Sequence, residues 1–221
     1  MENNIYYTDV LMNFVNKFYS SFDEDLEEIV KLAKEREGIN PTVDKPVGTL
    51  LGFLTRLINP QRILELGTCI GVSTLIFGKY SSENTQIYTI DRRADLLKEA
   101  TANFERFNLK NDIKPMLGDI KDIVPKLFKE NEKFDLIFQD GGKKLYPEMH
   151  DYTVRMLNKN GLLISDDVLL EKADFPSHIK GINESLKKYN EMVLNDERLD
   201  SIFLPLESGV IVARKINDEL G

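Results

Sequence analysis

Cysteine and histidine are scarce in this chain, whose 221 residues include one cysteine and two histidines. The single cysteine, Cys69, excludes a disulfide within the chain and fits a reducing compartment such as the cytoplasm. A catalytic thiol would need a basic partner, and only His150 and His178 are available for that role. We therefore interpret Cys69 as a buried residue of a turn.

Excess positive charge and long apolar runs are also missing. The net charge is −8 and the pI is about 5.0, so a broad electrostatic surface for nucleic acid is not expected, although a local basic patch is compatible with this balance. No window reaches the ~18 apolar residues of a membrane span. Residues 1–4 lack the basic start of a signal peptide. These absences predict a cytoplasmic protein with no membrane partner.

The length and the hydrophobic content of 42% are sufficient for one large α/β domain or two small ones. No internal repeat or low-complexity segment divides the chain. We therefore predict a single domain over 1–221, with an N-terminal helical cap (1–45) and an α/β core (46–216).

The cap region has apolar residues at helical spacing over 8–20 and 23–37. Either helix could cover the domain or form a dimer contact, and the pattern does not separate these roles. Residues 38–46 are predicted as an extended linker because they contain two prolines, and a further helix is predicted over 47–58.

From residue 62 the sequence alternates between short apolar runs and helical patterns. This alternation predicts a doubly wound α/β fold with a mostly parallel sheet and helices on both faces. A hairpin signal around Glu207 and Ser208 predicts that the sheet ends in an antiparallel hairpin. The predicted strands are 62–66, 86–90, 112–117, 134–139, 161–165, 201–206 and 209–214; the helices between them are 71–80, 93–107, 121–129, 147–157 and 177–194.

The first predicted strand leads into a loop of the form G-x-x-x-G, from Gly67 to Gly71. The fingerprints G-x-G-x-x-G and G-x-x-x-x-G-K-[ST] are both missing. Glu65 before the turn suits a cationic or hydroxyl-rich ligand, and Asp91 at the end of the next strand is placed to accept two hydrogen bonds from a ribose. The alternative is an ordinary β-α-β unit with turn glycines and a solvated acid.

Acidic residues end five predicted strands. Because carboxyl ends of parallel strands share one edge, we expect these acids to converge on one cleft, although acids also cap helices. Asp140, Asp166 and Asp167 would be within reach of one hard cation such as Mg²⁺. In the alternative, Asp140 and Asp166 cap helices and Asp167 is exposed. The five positions are Glu65, Asp91, Asp119, Asp140 and Asp166 with Asp167.

Lys143 follows Asp140 by three residues. Beside a metal-bound hydroxyl, a lysine with a lowered pKa could accept a proton. Without such a neighbour, Lys143 would be an ordinary solvated side chain.

As an ordered set, these motifs resemble the class I S-adenosylmethionine-dependent O-methyltransferases, in particular the catechol and caffeoyl-CoA branch, from about residue 24 to 214. The segments Glu65-Leu66-Gly67 and Gly71-Val72-Ser73 match the first motif of that branch. The resemblance implies a Rossmann-like methyltransferase fold with seven strands. It also implies a cofactor site formed by Val43, Glu65, Gly67, Gly71, Ser73, Asp91, Gly118, Asp119 and Asp140.

The same resemblance implies a metal site at Asp140, Asp166 and Asp167, with Lys143 as the catalytic residue and Tyr146 completing the motif. Two positions depart from the family pattern. Asp167 stands where the family usually has asparagine, so a third carboxylate could bind metal more tightly or leave one acid protonated. Gly141 and Gly142 stand where bulkier residues are usual, which could loosen the loop.

The activity implied by the resemblance is methyl transfer from S-adenosylmethionine, assisted by Mg²⁺ or another divalent cation. The expected acceptor is a catechol-like or phenolic small molecule with neighbouring hydroxyls, and the expected assembly is a homodimer. One alternative is a tRNA hydroxyuridine O-methyltransferase, against which the acidic balance weighs. Another is a cofactor-binding protein without turnover, suggested by residues 141, 142 and 167.

Overall fold

The computed structural model describes residues 24–35, 43–169 and 180–217. The helix predicted over 8–20 therefore lies outside the described residues. The helices are α1 (Glu24–Lys34), α2 (Lys45–Ile58), α3 (Val72–Tyr80), α4 (Ala94–Arg106), α5 (Ile120–Lys129), α6 (Tyr146–Met156) and α7 (Lys180–Leu194), with a 3₁₀ turn at Lys143–Leu145 before α6. The strands are β1 (Arg62–Leu66), β2 (Gln86–Asp91), β3 (Asp112–Leu117), β4 (Phe134–Gln139), β5 (Leu157–Ser165), β6 (Leu199–Leu204) and β7 (Val210–Lys215).

The seven strands form one sheet in the order β3-β2-β1-β4-β5-β7-β6. Strands β1 to β5 are parallel, and β7 is antiparallel to both β5 and β6. The strand order reverses between β1 and β4, and ligands of open α/β sheets bind at this switch point, outside the carboxyl ends of the strands. The predicted mostly parallel seven-stranded sheet with an antiparallel end is confirmed.

Helices cover both faces of the sheet, because alternate residues of the parallel strands are apolar on either side. On one face, Phe77 of α3 packs edge-to-face against Phe138 of β4, with ring centroids 5.7 Å apart. On the other face, Tyr146 of α6 packs in the same way against Tyr189 of α7 at 5.2 Å. The second pair lies next to the site described below.

Strands β2 and β7 differ from their predicted bounds by one residue, and β5 and β6 differ by more. Strand β5 begins at Leu157, whereas residue 161 was expected. Leu157 pairs with Phe134, and the register between the two strands shifts before Leu136. The polar residues that resemble a turn lie at this irregularity and belong to the strand. Strand β6 begins and ends two residues earlier than expected. Pro205 follows it directly and has no N–H to donate to a partner strand.

The helix predicted over 23–37 is confirmed over Glu24–Lys34 by α1, whose buried residues include Leu26 and Ile29, while residues 23, 36 and 37 lie outside the described residues. The division into a cap and a core at residue 45 stays a prediction. Within the described parts of the chain, no helix is both long and apolar enough to cross a membrane.

Candidate active site at the carboxyl edge of the sheet

The loop between β1 and α3 is held by backbone hydrogen bonds and by backbone angles that favour glycine. Gly67 has φ 109° and Gly71 has φ 88°. The N–H groups of Gly67 and Thr68 both donate to the carbonyl of Ile90 at the end of β2, at 3.0 and 3.1 Å. Cys69, at φ 49°, donates its N–H to Asp91 Oδ2 at 2.8 Å. The loop is thus fastened to the neighbouring strand.

Glu65 lies beneath this loop and is fully buried. The hydroxyl groups of Ser73 and Thr74 donate to its two oxygens at 2.5 Å, and the hydroxyl of Thr89 also donates to Oε2. Burial raises the pKa of Glu65 to about 7, although the three hydroxyl donors lower it. The carboxyl group therefore joins β1, β2 and α3 below the loop.

Two other predicted acids bind backbone N–H groups. Asp91 accepts from Cys69 with one oxygen and from the N–H of Arg93 with the other, at 2.9 Å. Asp119 is the N-cap of α5 and accepts from the N–H of Lys121 at 3.1 Å. The expectation that some strand-end acids cap helices is therefore confirmed at Asp119. Each carboxylate oxygen retains a lone pair that a ligand can use.

The loop after β4 meets the loop after β1 through glycine backbone. The N–H groups of Asp140 and Gly141 both donate to the carbonyl of Leu66, at 3.0 and 2.6 Å. A Cβ atom on Gly67 would lie 2.7 Å from the Cα of Gly141, and a Cβ on Gly141 would lie 2.8 Å from the Cα of Gly67. The close approach of the two loops therefore requires glycine at position 141. Through its backbone, Gly141 connects the loop after β4 to the loop after β1.

Lys143 lies in the 3₁₀ turn that follows, and its ammonium group contacts two of the predicted metal-binding acids. Its Nζ donates to Asp140 Oδ1 at 3.0 Å, to the Asp140 carbonyl at 2.9 Å and to Asp167 Oδ2 at 2.7 Å. Burial lowers the pKa of Lys143, but the charges of Asp140 and Asp167 outweigh it and the pKa is raised. The lysine lies between two carboxylates in this arrangement, whereas the lowered pKa was expected beside a metal-bound hydroxyl and stays a prediction.

Asp166 is buried beside this ion-paired group and precedes Asp167, which has φ 58°. Its Oδ1 accepts the N–H of Asp167 at 2.8 Å. Burial raises the pKa of Asp166 to about 8, and the charges of Asp140 and Asp167 act in the same direction. This favours the expectation that one of the three acids holds a proton.

Tyr146 positions the strand ends from below. Its buried hydroxyl group lies 2.7 Å from the carbonyl of Gln139 and 3.2 Å from the carbonyl of Asp166. Gln139 ends β4 and Asp166 directly follows β5, so one side chain connects the ends of both strands beside their acids. On the same side of the sheet, the hydroxyl of Ser165 lies 2.6 Å from that of Tyr189, which packs against Tyr146.

The donor chemistry of Asp140, Asp166 and Asp167 fits a hard divalent cation, because all three side chains offer carboxylate oxygens. The cation between Asp140 and Asp167 in the structure is the ammonium group of Lys143. Within residues 24–35, 43–169 and 180–217, no group of three or more His, Cys, Asp and Glu side chains is arranged as a metal site. The metal site stays a prediction.

The remaining predicted residues lie around the same loops. Val43 is buried against the start of α2, Ser73 is buried on α3, and Gly118 donates its N–H to the carbonyl of Asp91 at 2.9 Å. Cys69 lies in the turn as expected but is partly exposed, so the prediction that it is buried is wrong; partial burial raises the pKa of its thiol to about 11. The structure adds Thr89, which pairs with Glu65 in register. Aligning the two strands would have revealed that threonine.

Comparison with known proteins agrees with this architecture. Residues 18–216 match the family described as O-methyltransferase. A catechol O-methyltransferase from Niastella koreensis is 26% identical over 161 residues, covering 72% of this chain and 73% of the relative. A caffeoyl-CoA O-methyltransferase from Stellaria longipes is 22% identical over 213 residues, covering 89% and 87%. The crystal structure of the Podospora anserina methyltransferase PaMTH1 with bound SAH superimposes with a TM-score of 0.84 at 21% identity, covering 98% of both chains.

The chain therefore belongs to the O-methyltransferase family. The resemblance found in the sequence is confirmed, and so are the Rossmann-like methyltransferase fold and the class of enzyme.

Proposed function

We propose that this enzyme transfers the methyl group of S-adenosylmethionine to a hydroxyl of a catechol-like or phenolic small molecule with neighbouring hydroxyls. One observation carries the proposal. Gly67 and Gly141 bring the glycine loop after β1 into backbone contact with the loop that bears Asp140 and Lys143. A methyl donor on the first loop and a hydroxylated acceptor at the second would then be neighbours, as transfer between them requires.

The residues of the first loop fit a nucleoside-containing cofactor. Gly67 and Gly71 carry no Cβ, so backbone can approach the ligand closely, and Asp91 is partly exposed with lone pairs for ribose hydroxyls. The nearby carboxylates suit a positively charged donor. Val43, Glu65, Ser73, Gly118, Asp119 and Asp140 complete the proposed cofactor set, with Glu65 and Ser73 acting through the shape of the loop.

The acids that follow β4 and β5 provide the proposed metal site. Asp140, Asp166 and Asp167 would hold Mg²⁺ or another divalent cation, which when bound would supply Lewis-acid polarisation of the acceptor hydroxyl. In the reaction the acceptor oxygen loses its proton and gains the methyl group. Lys143 is placed to stabilise the developing oxyanion, or to take up the proton once its contacts with the two carboxylates are released.

The choice of acceptor rests on the relatives. Two of them are named for catechol and for caffeoyl-CoA, which share a ring with neighbouring oxygens. The homodimer and the cytoplasmic location are carried forward as predictions.

The test is methyl transfer from radiolabelled S-adenosylmethionine to three acceptors, namely catechol, phenol and bulk tRNA. We expect transfer to catechol, little to phenol, loss of transfer with a chelator, and loss in Asp140→Asn. Incorporation into tRNA alone would replace the small-molecule acceptor. Cofactor binding with no transfer to any acceptor would contradict the proposal and favour a binding protein.

A further inference from the structure

We propose that Lys143 is an internal cation that competes with the divalent metal ion for Asp140 and Asp167, so that metal can bind only when the lysine head group moves away. The inference rests on the proposed function, because it concerns the metal site of that function. It adds a property that the proposed reaction does not require, namely that the protein itself restricts metal binding.

The ammonium group of Lys143 has its full set of hydrogen-bond acceptors. A lysine ammonium has three N–H donors, and Lys143 has three acceptors at hydrogen-bonding distance. They are Asp140 Oδ1 at 3.0 Å, the Asp140 carbonyl at 2.9 Å and Asp167 Oδ2 at 2.7 Å. A solvated surface lysine makes no such complete set, so this position is a specific cation site.

The ion-paired side chains are also partly shielded from solvent. The side chains of Lys143, Asp140 and Asp167 are only 18%, 21% and 32% exposed. Partial burial reduces the screening by water and salt that weakens ion pairs on the surface. The ammonium group is therefore held more firmly than an exposed ion pair would be.

The ammonium group excludes a metal ion from the same two carboxylate oxygens. Carboxylate oxygens bind Mg²⁺ at about 2.1 Å and Ca²⁺ at about 2.3–2.6 Å. An ammonium nitrogen at 2.7 and 3.0 Å from the same two oxygens occupies the space that such an ion needs, and the like charges repel. Metal binding and the lysine contacts are therefore alternatives.

Asp167 has a defined role in this exchange. It supplies the shortest of the three lysine contacts and the second negative charge. Asp167 thus attracts both cations. Its carboxylate favours metal binding, but the free energy needed to break its contact with Lys143 reduces the net gain in metal affinity. Reciprocity requires that bound metal weaken the lysine contacts by the same factor.

The experiment is direct measurement of Mn²⁺ binding to the full chain by electron paramagnetic resonance of the free ion, with Mg²⁺ as the competitor. Lys143→Met should bind Mn²⁺ at least tenfold more tightly than the natural chain. Lys144→Met is the matched control, because it removes the same charge from the neighbouring exposed lysine, and it should change the affinity less than twofold. Lys143→Arg keeps the charge and should not tighten binding.

A second measurement needs no variant. Modification of Lys143 by an amine-specific reagent, followed by peptide mass spectrometry, should accelerate when Mn²⁺ is added, while Lys144 should react at an unchanged rate. Because it uses the natural chain, this measurement tests the inference even if Lys143→Met fails to fold.

Equal or weaker Mn²⁺ binding by Lys143→Met would overturn the inference, and so would absence of binding by every variant. In the latter case, methyl transfer to catechol in the presence of chelator would show that the proposed transfer survives without metal. Binding by Lys143→Met alone would support the inference, because it would mean that the lysine keeps the site closed.

Discussion

The two halves of the candidate site are shaped by different kinds of chemical group. Around β1 the loop is shaped by glycine backbone, and the buried acid Glu65 has three neutral hydroxyl partners. Around β4 and β5 the site is shaped by charged side chains, with Lys143 between Asp140 and Asp167. The first half depends on the absence of Cβ atoms, and the second on the balance of charges. Substitutions that damage one half should therefore spare the other, except at Gly67 and Gly141, where the two halves are in contact.

Gly67→Ala is expected to have the largest effect. The new Cβ would lie 2.7 Å from the Gly141 backbone at φ 109°, which alanine rarely adopts. We expect a loss of about 3 kcal/mol in the free energy of unfolding from strain and overlap, together with loss of S-adenosylmethionine binding. Urea unfolding and calorimetry measure both quantities.

Gly142→Ala is the control for that variant. Its φ is 65°, but the nearest atom to the new Cβ is 3.4 Å away on Leu145. The loss should be about 1 kcal/mol, from the left-handed conformation alone. Equal losses at positions 67 and 142 would contradict the close contact between the loops.

The burial of Glu65 predicts a pH dependence of stability. Its pKa is about 7 in the folded chain and ordinarily 4.5, so between these pH values the folded chain keeps a proton that the unfolded chain has released. The free energy of unfolding should therefore fall as pH rises through this window, by about 3 kcal/mol near neutral pH. Glu65→Gln removes this contribution.

Chemical unfolding at a series of pH values from acid to neutral provides the measurement. The difference between Glu65→Gln and the natural chain isolates the Glu65 contribution from that of the other titrating groups. An unchanged slope in the variant would mean that Glu65 is ionised throughout.

Tyr146→Phe tests how the charged half is positioned. It removes the hydroxyl that reaches the carbonyls of Gln139 and Asp166. We expect a loss of about 1.5 kcal/mol in the free energy of unfolding, with lower kcat and unchanged cofactor affinity. Tyr152→Phe is the control, since Tyr152 packs edge-to-face on Phe128 on the other side of α6. A fall in cofactor affinity, with kcat unaffected, would place Tyr146 in the first half instead.

Asp119→Ala should have the smallest effect. Loss of the N-cap of α5 should cost about 1 kcal/mol of unfolding free energy. If Asp119 also binds the cofactor, the affinity for S-adenosylmethionine will fall, and Asp119→Asn, which retains the cap, will separate the two contributions. Unchanged affinity in both variants would leave Asp119 as a cap only.

The sequence predicted the strands of the parallel core closely, because each is a short apolar run bounded by turn residues or charges. Residues 62–66, 112–117 and 134–139 have the predicted bounds. The start of β5 was missed because residues 158–161 resemble a turn, and only pairing with β4 makes Leu157 part of the strand.

The candidate site was predictable in its residues and not in its contacts. The glycines and acids at strand ends follow from local patterns. The contact of Lys143 with Asp167 joins positions far apart in sequence, and the close approach of Gly67 and Gly141 depends on how two loops meet. Neither has a local signal, so the raised pKa of Lys143 between two carboxylates and the reason for Gly141 were both missed.

The position of β7 has a consequence for the order of folding. This strand pairs with β5, and the segment before it receives hydrogen bonds from the N–H groups of Val168 and Leu169, directly after the two adjacent acids. During synthesis β7 emerges after every other described strand. The aspartates that follow β5 therefore acquire their final surroundings last. A nascent chain can complete the glycine loop after β1 well before it can complete the charged half of the candidate site.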